Sequence, residues 1–386
     1  MALPQGVPVS HTNVYPAVNG VPVQAKAVAV GPAERPKTLT SAAASAALRK
    51  EDWQWSTGLC ATVAQSVECH PMRIVLLDNS GSMREADGKR LVWHHGGYRS
   101  LGCSRWQELA TDAVALGKMS AALSARTDFH LLNPMPGISG GVSLGTDAFD
   151  GGIAPLGHTV DVLELQRLLE KVNPYSTTPL TEALTKIISM IEPMAPKLRA
   201  AGQNIAVVIC TDGLPNDKQS FVRAMRRLQT LPVWCVVRLC TDDDGVVDFW
   251  NDLDRQLEAP LEVLDDARGE AEEVNKLNPW LTYAPPLHLA RLFGLHEKLF
   301  DALDEQALLP TQIRSFIRLL LGASADDLPE PELDREAFLM AVSHALADEE
   351  PVYDPKSGKV KPWLDMHALD RALRPRQKCE PGCAIM

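Results

Sequence analysis

The chain is 386 residues long, 45% apolar and formally −11 in charge, so it can bury a large core. Its apolar runs are strand-length, and none approaches the ~20 residues of a membrane-spanning helix. An acidic balance disfavours nucleic acid as a partner. The N-terminal MALPQGVPVS has neither a basic start nor an apolar stretch, so no secretory signal is expected. Ala2 excludes an N-myristoyl glycine.

Residues 1–50 carry six prolines, few aromatics and the echo GVPV at 6–9 and 20–23. Such composition reads as a disordered Pro/Ala-rich tail, with a helical turn or two over AAASAALRK. From about residue 70 strands and helices alternate. MRIVLL (72–77) reads as a buried strand, and residues 83–103 as a polar insertion forming a loop or small hairpin. His94 and His95 fall there as ordinary loop residues. Residues 104–123 read as an amphipathic helix with Ser104 and Gln107 in capping-box spacing. TDFHLL (127–132) and VSLG (142–145) are strand-like. Residues 160–172 and 179–191 are helical, the latter with Leu180, Leu184, Ile187, Ile188 and Ile191 on one face. Then come strand NIAVVICTD (204–212), helix 217–229, strand VWCVVRLC (233–240) and a short strand LEVL (261–264). This alternation predicts an α/β fold, a doubly wound, mainly parallel sheet flanked by helices.

Residues 242–273 hold 13 acids against Arg255 and Arg268, and read as a solvated acidic surface. After 275 the strand signals stop. Residues 286–321 and 333–348 read as helices of a C-terminal appendage (275–350), followed by a flexible basic tail (351–386). A calcium loop beginning at Asp301 would offer Leu303, Glu305 and Gln312 where better ligands are needed, so none is expected. The eight cysteines form no CxxC pair or metal-ligand spacing. With no visible signal sequence this points to a reducing, cytoplasmic location.

The chemistry gathers at strand ends. In open parallel sheets ligands collect outside the carboxyl ends of strands, where Asp78 and Asp212 both fall; only neighbouring strands would bring them together. Ser80 and Ser82 follow Asp78 with Gly81 between them, and Thr178 precedes Pro179 at a helix start. Each has an ordinary alternative: a turn for Asp78 or Asp212-Gly213, a helix cap for Ser80, Ser82 or Thr178. Thr177 is the other candidate for the threonine position. Together they offer three hydroxyls and two carboxylates, hard donors suited to Mg²⁺ or Mn²⁺.

Asp78-Asn79-Ser80-Gly81-Ser82, Thr178 in TTPLTEAL and Asp212 in VVICTDG resemble the metal-ion-dependent adhesion site of von Willebrand factor A domains, over roughly residues 70–270. The resemblance implies a non-catalytic interaction module. Ser80, Ser82 and Thr178 would bind the cation directly, and Asp78 and Asp212 mainly through water. An acidic group of a protein partner would fill the open position. Two alternatives stay open: a metal-dependent phosphotransferase with Asp78 as nucleophile, and a structural domain whose metal site is not used. For the first, Ser80 stands where a second Asp is usual, Asp242 and Asp243 follow a different strand, and no GxSxG, GxxxxGK[ST] or HExxH occurs. The final Cys383-Ala384-Ile385-Met386 is similar to a C-a-a-X prenylation signal, with Cys379 as a second, palmitoyl position and Arg371, Arg374, Arg376 and Lys378 upstream. One lipid chain binds membranes marginally, so a peripheral tether to a cytoplasmic face would draw on all three features.

Overall fold

Strand β1 (Met72–Leu77) is buried at every residue, and its side chains alternate between the two faces of the central sheet. Met72, Ile74 and Leu76 enter one core, while Val75 and Leu77 enter the other. The computed structural model describes residues 41–50, 53–94, 97–135, 141–145, 159–257 and 261–374. Around β1 stand β4 (Arg126–Leu131), β5 (Val142–Leu144), β6 (Ile205–Thr211), β7 (Val233–Leu239) and β8 (Glu262–Leu264); β2 (Gly88–His94) and β3 (Gly97–Cys103) form a separate antiparallel hairpin. The six-stranded sheet has the order β5-β4-β1-β6-β7-β8, parallel throughout except for β5. The protein is thus α/β and doubly wound.

The chain leaves β1 towards β4 and β5, then returns to β6 on the other side of β1 and continues outwards. The order therefore reverses between β1 and β6, which makes their carboxyl ends the crevice of the sheet. Helices α3 (Arg105–Ala122) and α4 (Val162–Glu170) cover one face; α5 (Leu180–Ile191), α7 (Lys218–Gln229) and α8 (Asp244–Gln256) cover the other, joined by α6 (Ala195–Ala201). The starts of α3, α4, α7 and α8 are set by side-chain caps: Ser104 in a capping box with Gln107, Asp161, Asp217 and Asp243. The strands and helices expected between residues 72 and 264 are matched within about two residues, the usual uncertainty of helix and strand ends, whereas α6 and α8 were not anticipated.

The termini differ from expectation. The helical turns expected over AAASAALRK form α1 (Ser41–Leu48), but it is not part of a free tail: Ala44 and Leu48 are buried. Helix α2 (Thr57–Cys69), not anticipated, also buries its apolar face. The helix expected over 286–321 is three: α10 (Pro285–Leu292), α11 (Lys298–Glu305) and α12 (Pro310–Leu321). The first break is at Gly294, whose φ of +88° suits glycine and where a Cβ would come within 2.6 Å of the Ala206 Cβ. After the second break α12 starts with Pro310 in its first turn. Asp301 lies inside α11, so no calcium loop forms there. After α13 (Arg335–Leu346), residues 351–374, placed in the flexible tail, form a hairpin of β9 (Val352–Asp354) and β10 (Lys359–Lys361), then α14 (Met366–Ala372). Trp363, Leu364 and Leu369 are buried and anchor this segment. Its basic-rich composition concealed these few well-spaced apolar residues.

These C-terminal helices form part of the wall over one sheet face. Arg73, buried within β1, donates from Nε to Phe293 O (2.8 Å) and lies 3.6 Å over the Phe293 ring. Trp234 of β7 stacks on His296 at 3.7 Å. Arg291 is buried and donates to Glu262 (2.6 Å), Glu270 (2.5 Å), Asp304 (2.9 Å) and the Tyr283 hydroxyl (3.2 Å). This changes the reading of the acidic stretch. Glu262 and Glu270 are buried partners of Arg291, Asp243 and Asp266 cap α8 and α9 (Ala267–Leu277), and Asp254 accepts from Leu261 N.

Removing one partner of a buried ion network strands the others without solvation. Arg291→Met should therefore destabilise the fold by about 3–5 kcal/mol, and adding Glu262→Gln and Glu270→Gln should recover much of the loss. Urea unfolding checks both; a loss below about 1 kcal/mol in the single variant would show that the network does not hold the C-terminal helices.

Candidate metal centre

Because β1 and β6 are neighbours, with Leu77 opposite Cys210, the chain delivers Asp78 and Asp212 side by side at the crevice. Asp78 N–H still bonds to Cys210 O (2.9 Å), so the pairing holds up to the carboxylate. Asp78 is buried and both of its oxygens are occupied. Oδ1 accepts from Ser80 N (2.8 Å) and Oδ2 from the Thr211 hydroxyl (2.6 Å). Burial pushes the Asp78 carboxyl up to about 6; the Thr211 and Ser80 hydrogen bonds pull it down, and the charge of Asp212 adds to the rise.

Ser80 and Ser82 bracket the entry to a short 3₁₀ turn (Gly81–Arg84), and Ser80 makes no side-chain cap bond to it. Instead the two hydroxyls stand 3.2 Å apart, and Ser82 donates to Asp212 Oδ1 at 2.9 Å. The third segment is pinned against this loop by its backbone. Gly81 N donates to Ser176 O (3.0 Å), and Tyr175 N donates to Asn79 O (2.8 Å). Asn79 and Asn133 close the arrangement: Asn133 N donates to Asn79 Oδ1 (2.7 Å), Asn79 Nδ2 to Asn133 O (2.9 Å), and Asn133 Nδ2 to Thr177 O (2.9 Å). Ser176 takes a φ of +70°, an uncommon conformation for serine, to make this bend.

The capping alternative for Thr178 does not hold. Helix α5 starts at Leu180, its N-cap is Pro179, and Thr178 contributes only its carbonyl, to Leu180 N (2.8 Å). Among the described residues its hydroxyl has no hydrogen-bond partner, and it faces the segment after Asp212: a Cβ built on Gly213 would lie 3.4 Å from Thr178 Oγ1. Thr177 Oγ1, the other candidate, accepts from Asn216 Nδ2 at 3.4 Å instead.

The structure thus brings together Asp78, Ser80, Ser82, Thr178 and Asp212. Neighbouring ligands of an octahedral Mg²⁺ at 2.0–2.1 Å stand about 3 Å apart, close to the Ser80–Ser82 separation of 3.2 Å. The donors are all hard oxygens and fit a small divalent cation. Among the described residues no three His, Cys, Asp or Glu side chains converge on a metal position, so the site depends on its hydroxyls. Cys379 and Cys383 lie outside the described residues.

Sequence reasoning missed four contributors. Thr211 and the Asn79–Asn133 pair hold the two loops, and Thr211 stood next to Asp212 in the same strand-end motif. The fourth is Arg105, whose Nη1 donates to Asp212 Oδ2 at 3.0 Å while Nε and Nη2 grip Asp87 at 2.8 and 2.6 Å. Nothing in the local pattern around Arg105 signals this, because the contact spans 107 residues.

No family model matches the chain, and no curated protein sequence matches it. Among solved structures it is similar to the manganese-loaded TRAP protein of Plasmodium vivax, at 15% identity and a TM-score of 0.31, over 51% of this chain and 69% of that one. The fold described above rests on strand order and register.

A carboxyl raised above its unfolded value stabilises the fold at low pH, and that contribution is lost as pH rises through the folded value. For Asp78 the window runs from the ordinary 3.8 to about 6. In EDTA at pH 7.5, Asp78→Asn should therefore stabilise the protein by about 1–3 kcal/mol, while abolishing any stabilisation by Mg²⁺. Mg²⁺ binding by the native chain should weaken about tenfold per pH unit below about 6 as Asp78 takes up a proton. Thermal unfolding with and without Mg²⁺ from pH 5 to 8 tests these together. A destabilised Asn variant with an unchanged Mg²⁺ response would contradict them.

Proposed function

We propose that the protein is a non-catalytic interaction module that presents Mg²⁺ or Mn²⁺, held by Asp78, Ser80, Ser82, Thr178 and Asp212, to an acidic group of a protein partner. The observation that carries this reading is the convergence of three hydroxyls and only two carboxylates at the switch point of the sheet. A set poor in negative charge leaves a bound cation with Lewis acidity for an outside carboxylate. The resemblance to von Willebrand factor A domains over roughly residues 70–270 gives the same reading. Ser80, Ser82 and Thr178 would touch the cation, and Asp78 and Asp212 would act chiefly by orienting water and hydroxyls.

The phosphotransferase alternative asks Asp78 to attack phosphorus. Its side chain is fully buried and each oxygen already accepts a hydrogen bond from the loop, which argues against in-line attack on an incoming phosphate ester. In the interaction reading the same bonds serve to hold the loop.

Affinity capture in parallel with Mg²⁺ and with EDTA tests the reading. A partner retained only with Mg²⁺, and lost from Ser80→Ala, is the expected result. Identical captures in all three conditions would leave the module structural, with its site unused. The C-terminal motif adds a peripheral membrane tether to the proposal. Intact mass after expression in cells with a farnesyltransferase should show one prenyl group and loss of the last three residues, abolished by Cys383→Ser. An unmodified native chain would remove the tether from the reading.

A further inference from the structure

The guanidinium of Arg105 reaches into the candidate site from a direction that neither the motif nor the strand ends supply. Its backbone is fixed: Ser104 and Gln107 form the capping box that starts α3, and Arg105 N donates to Glu85 O (3.0 Å). Its side chain is oriented from both ends. Two nitrogens hold Asp87 in a bidentate pair (2.8 and 2.6 Å), and the third donates to Asp212 Oδ2 (3.0 Å). Asp212 is fully buried at its side chain and Arg105 is only 15% exposed, whereas Asp87 is 58% exposed. The inner contact is therefore the one least screened by water.

Asp212 has two oxygens, and each now has a partner: Ser82 on Oδ1 and Arg105 on Oδ2. We propose that Arg105 sets the cation affinity of this site, its positive charge competing with the bound divalent ion for Asp212; the inference rests on the metal-site reading above. Two effects act in the same direction. The guanidinium neutralises one of only two carboxylates at the site, and it stands where it repels a cation whose water ligands that same carboxylate would hold. Binding of the ion then weakens the Arg105–Asp212 contact, which leaves Asp87 as the main partner of the guanidinium. Asp87 immediately precedes the β2–β3 hairpin, whose first amide bonds lead to α3: Lys89 N donates to Glu108 Oε2 at 2.8 Å. Site occupancy is thereby linked to the root of the hairpin.

The test is calorimetric titration of Mg²⁺ into the full chain, comparing the native protein with Arg105→Gln, Arg105→Lys and Ser80→Ala, together with amide exchange of residues 85–105. Removing the charge in Arg105→Gln should tighten Mg²⁺ binding by about tenfold or more, the effect of one nearby unit charge in a partly buried site. Arg105→Lys keeps the charge and should stay near the native affinity, and Ser80→Ala should lose binding. In the native chain Mg²⁺ should speed exchange at the first turn of α3 and the hairpin root. Equal affinities for the native chain and Arg105→Gln, with Ser80→Ala still weakened, would overturn the role of Arg105 and leave the metal site standing. Unchanged exchange at 85–105 under saturating Mg²⁺ would also overturn it. Absence of Mg²⁺ binding in both the native chain and Arg105→Gln would remove the metal site itself, and this role with it.

Discussion

The site depends on one unfavourable act, the burial of the Asp78 carboxylate at the end of the central strand. In water that group is an ordinary acid; at the crevice between β1 and β6 its pKa is pushed up to about 6. The fold compensates locally, with a backbone N–H from Ser80 and a hydroxyl from Thr211. Those two bonds hold the turn that presents Ser80 and Ser82, so the feature that weakens the fold also shapes the proposed cation site. Strain of this kind is retained where a site gains from pre-organisation.

Around that point the architecture leaves little freedom. The reversal of strand order places both carboxylates at one crevice, and the Asn79–Asn133 pair ties the Thr178 segment to the same loop. On one sheet face, helices from both ends of the chain complete the wall. Gly58 of α2 packs so closely on α12 that a Cβ there would lie 2.3 Å from Gly322 N. Arg73 and Arg291 fasten the C-terminal helices to β1, β8 and α9 through buried hydrogen bonds. These helices thus belong to the support of the sheet.

How much of this was legible depended on range. The strands and the crossover helices other than α8 announced themselves through periodicity and caps, because those signals lie within a few residues of the structure they specify. The residues grouped at the candidate site were legible as well, since strand ends and a threonine-proline helix start are local patterns that the sheet topology merely brings together. Arg105 was not legible, because its partner is chosen by the fold rather than by its neighbours. The same holds for Arg291 and its acids: a dense acidic run looks solvated until a buried guanidinium is found inside it. At the termini composition misled. A helix as short as Ser41–Leu48 and a segment anchored by Trp363 each rest on a few apolar side chains docking to a distant surface, which overall polarity does not reveal.

The most direct measurement is the anomalous scattering of Mn²⁺ in a crystal of the full chain. A single strong peak about 2.1–2.3 Å from the hydroxyl oxygens of Ser80, Ser82 and Thr178, with Asp78 and Asp212 joined to it through water, is the expected result. Mn²⁺ bound elsewhere, or no peak at this crevice at millimolar Mn²⁺ with the Ser82–Asp212 bond intact, would contradict the assignment of these residues as a cation site.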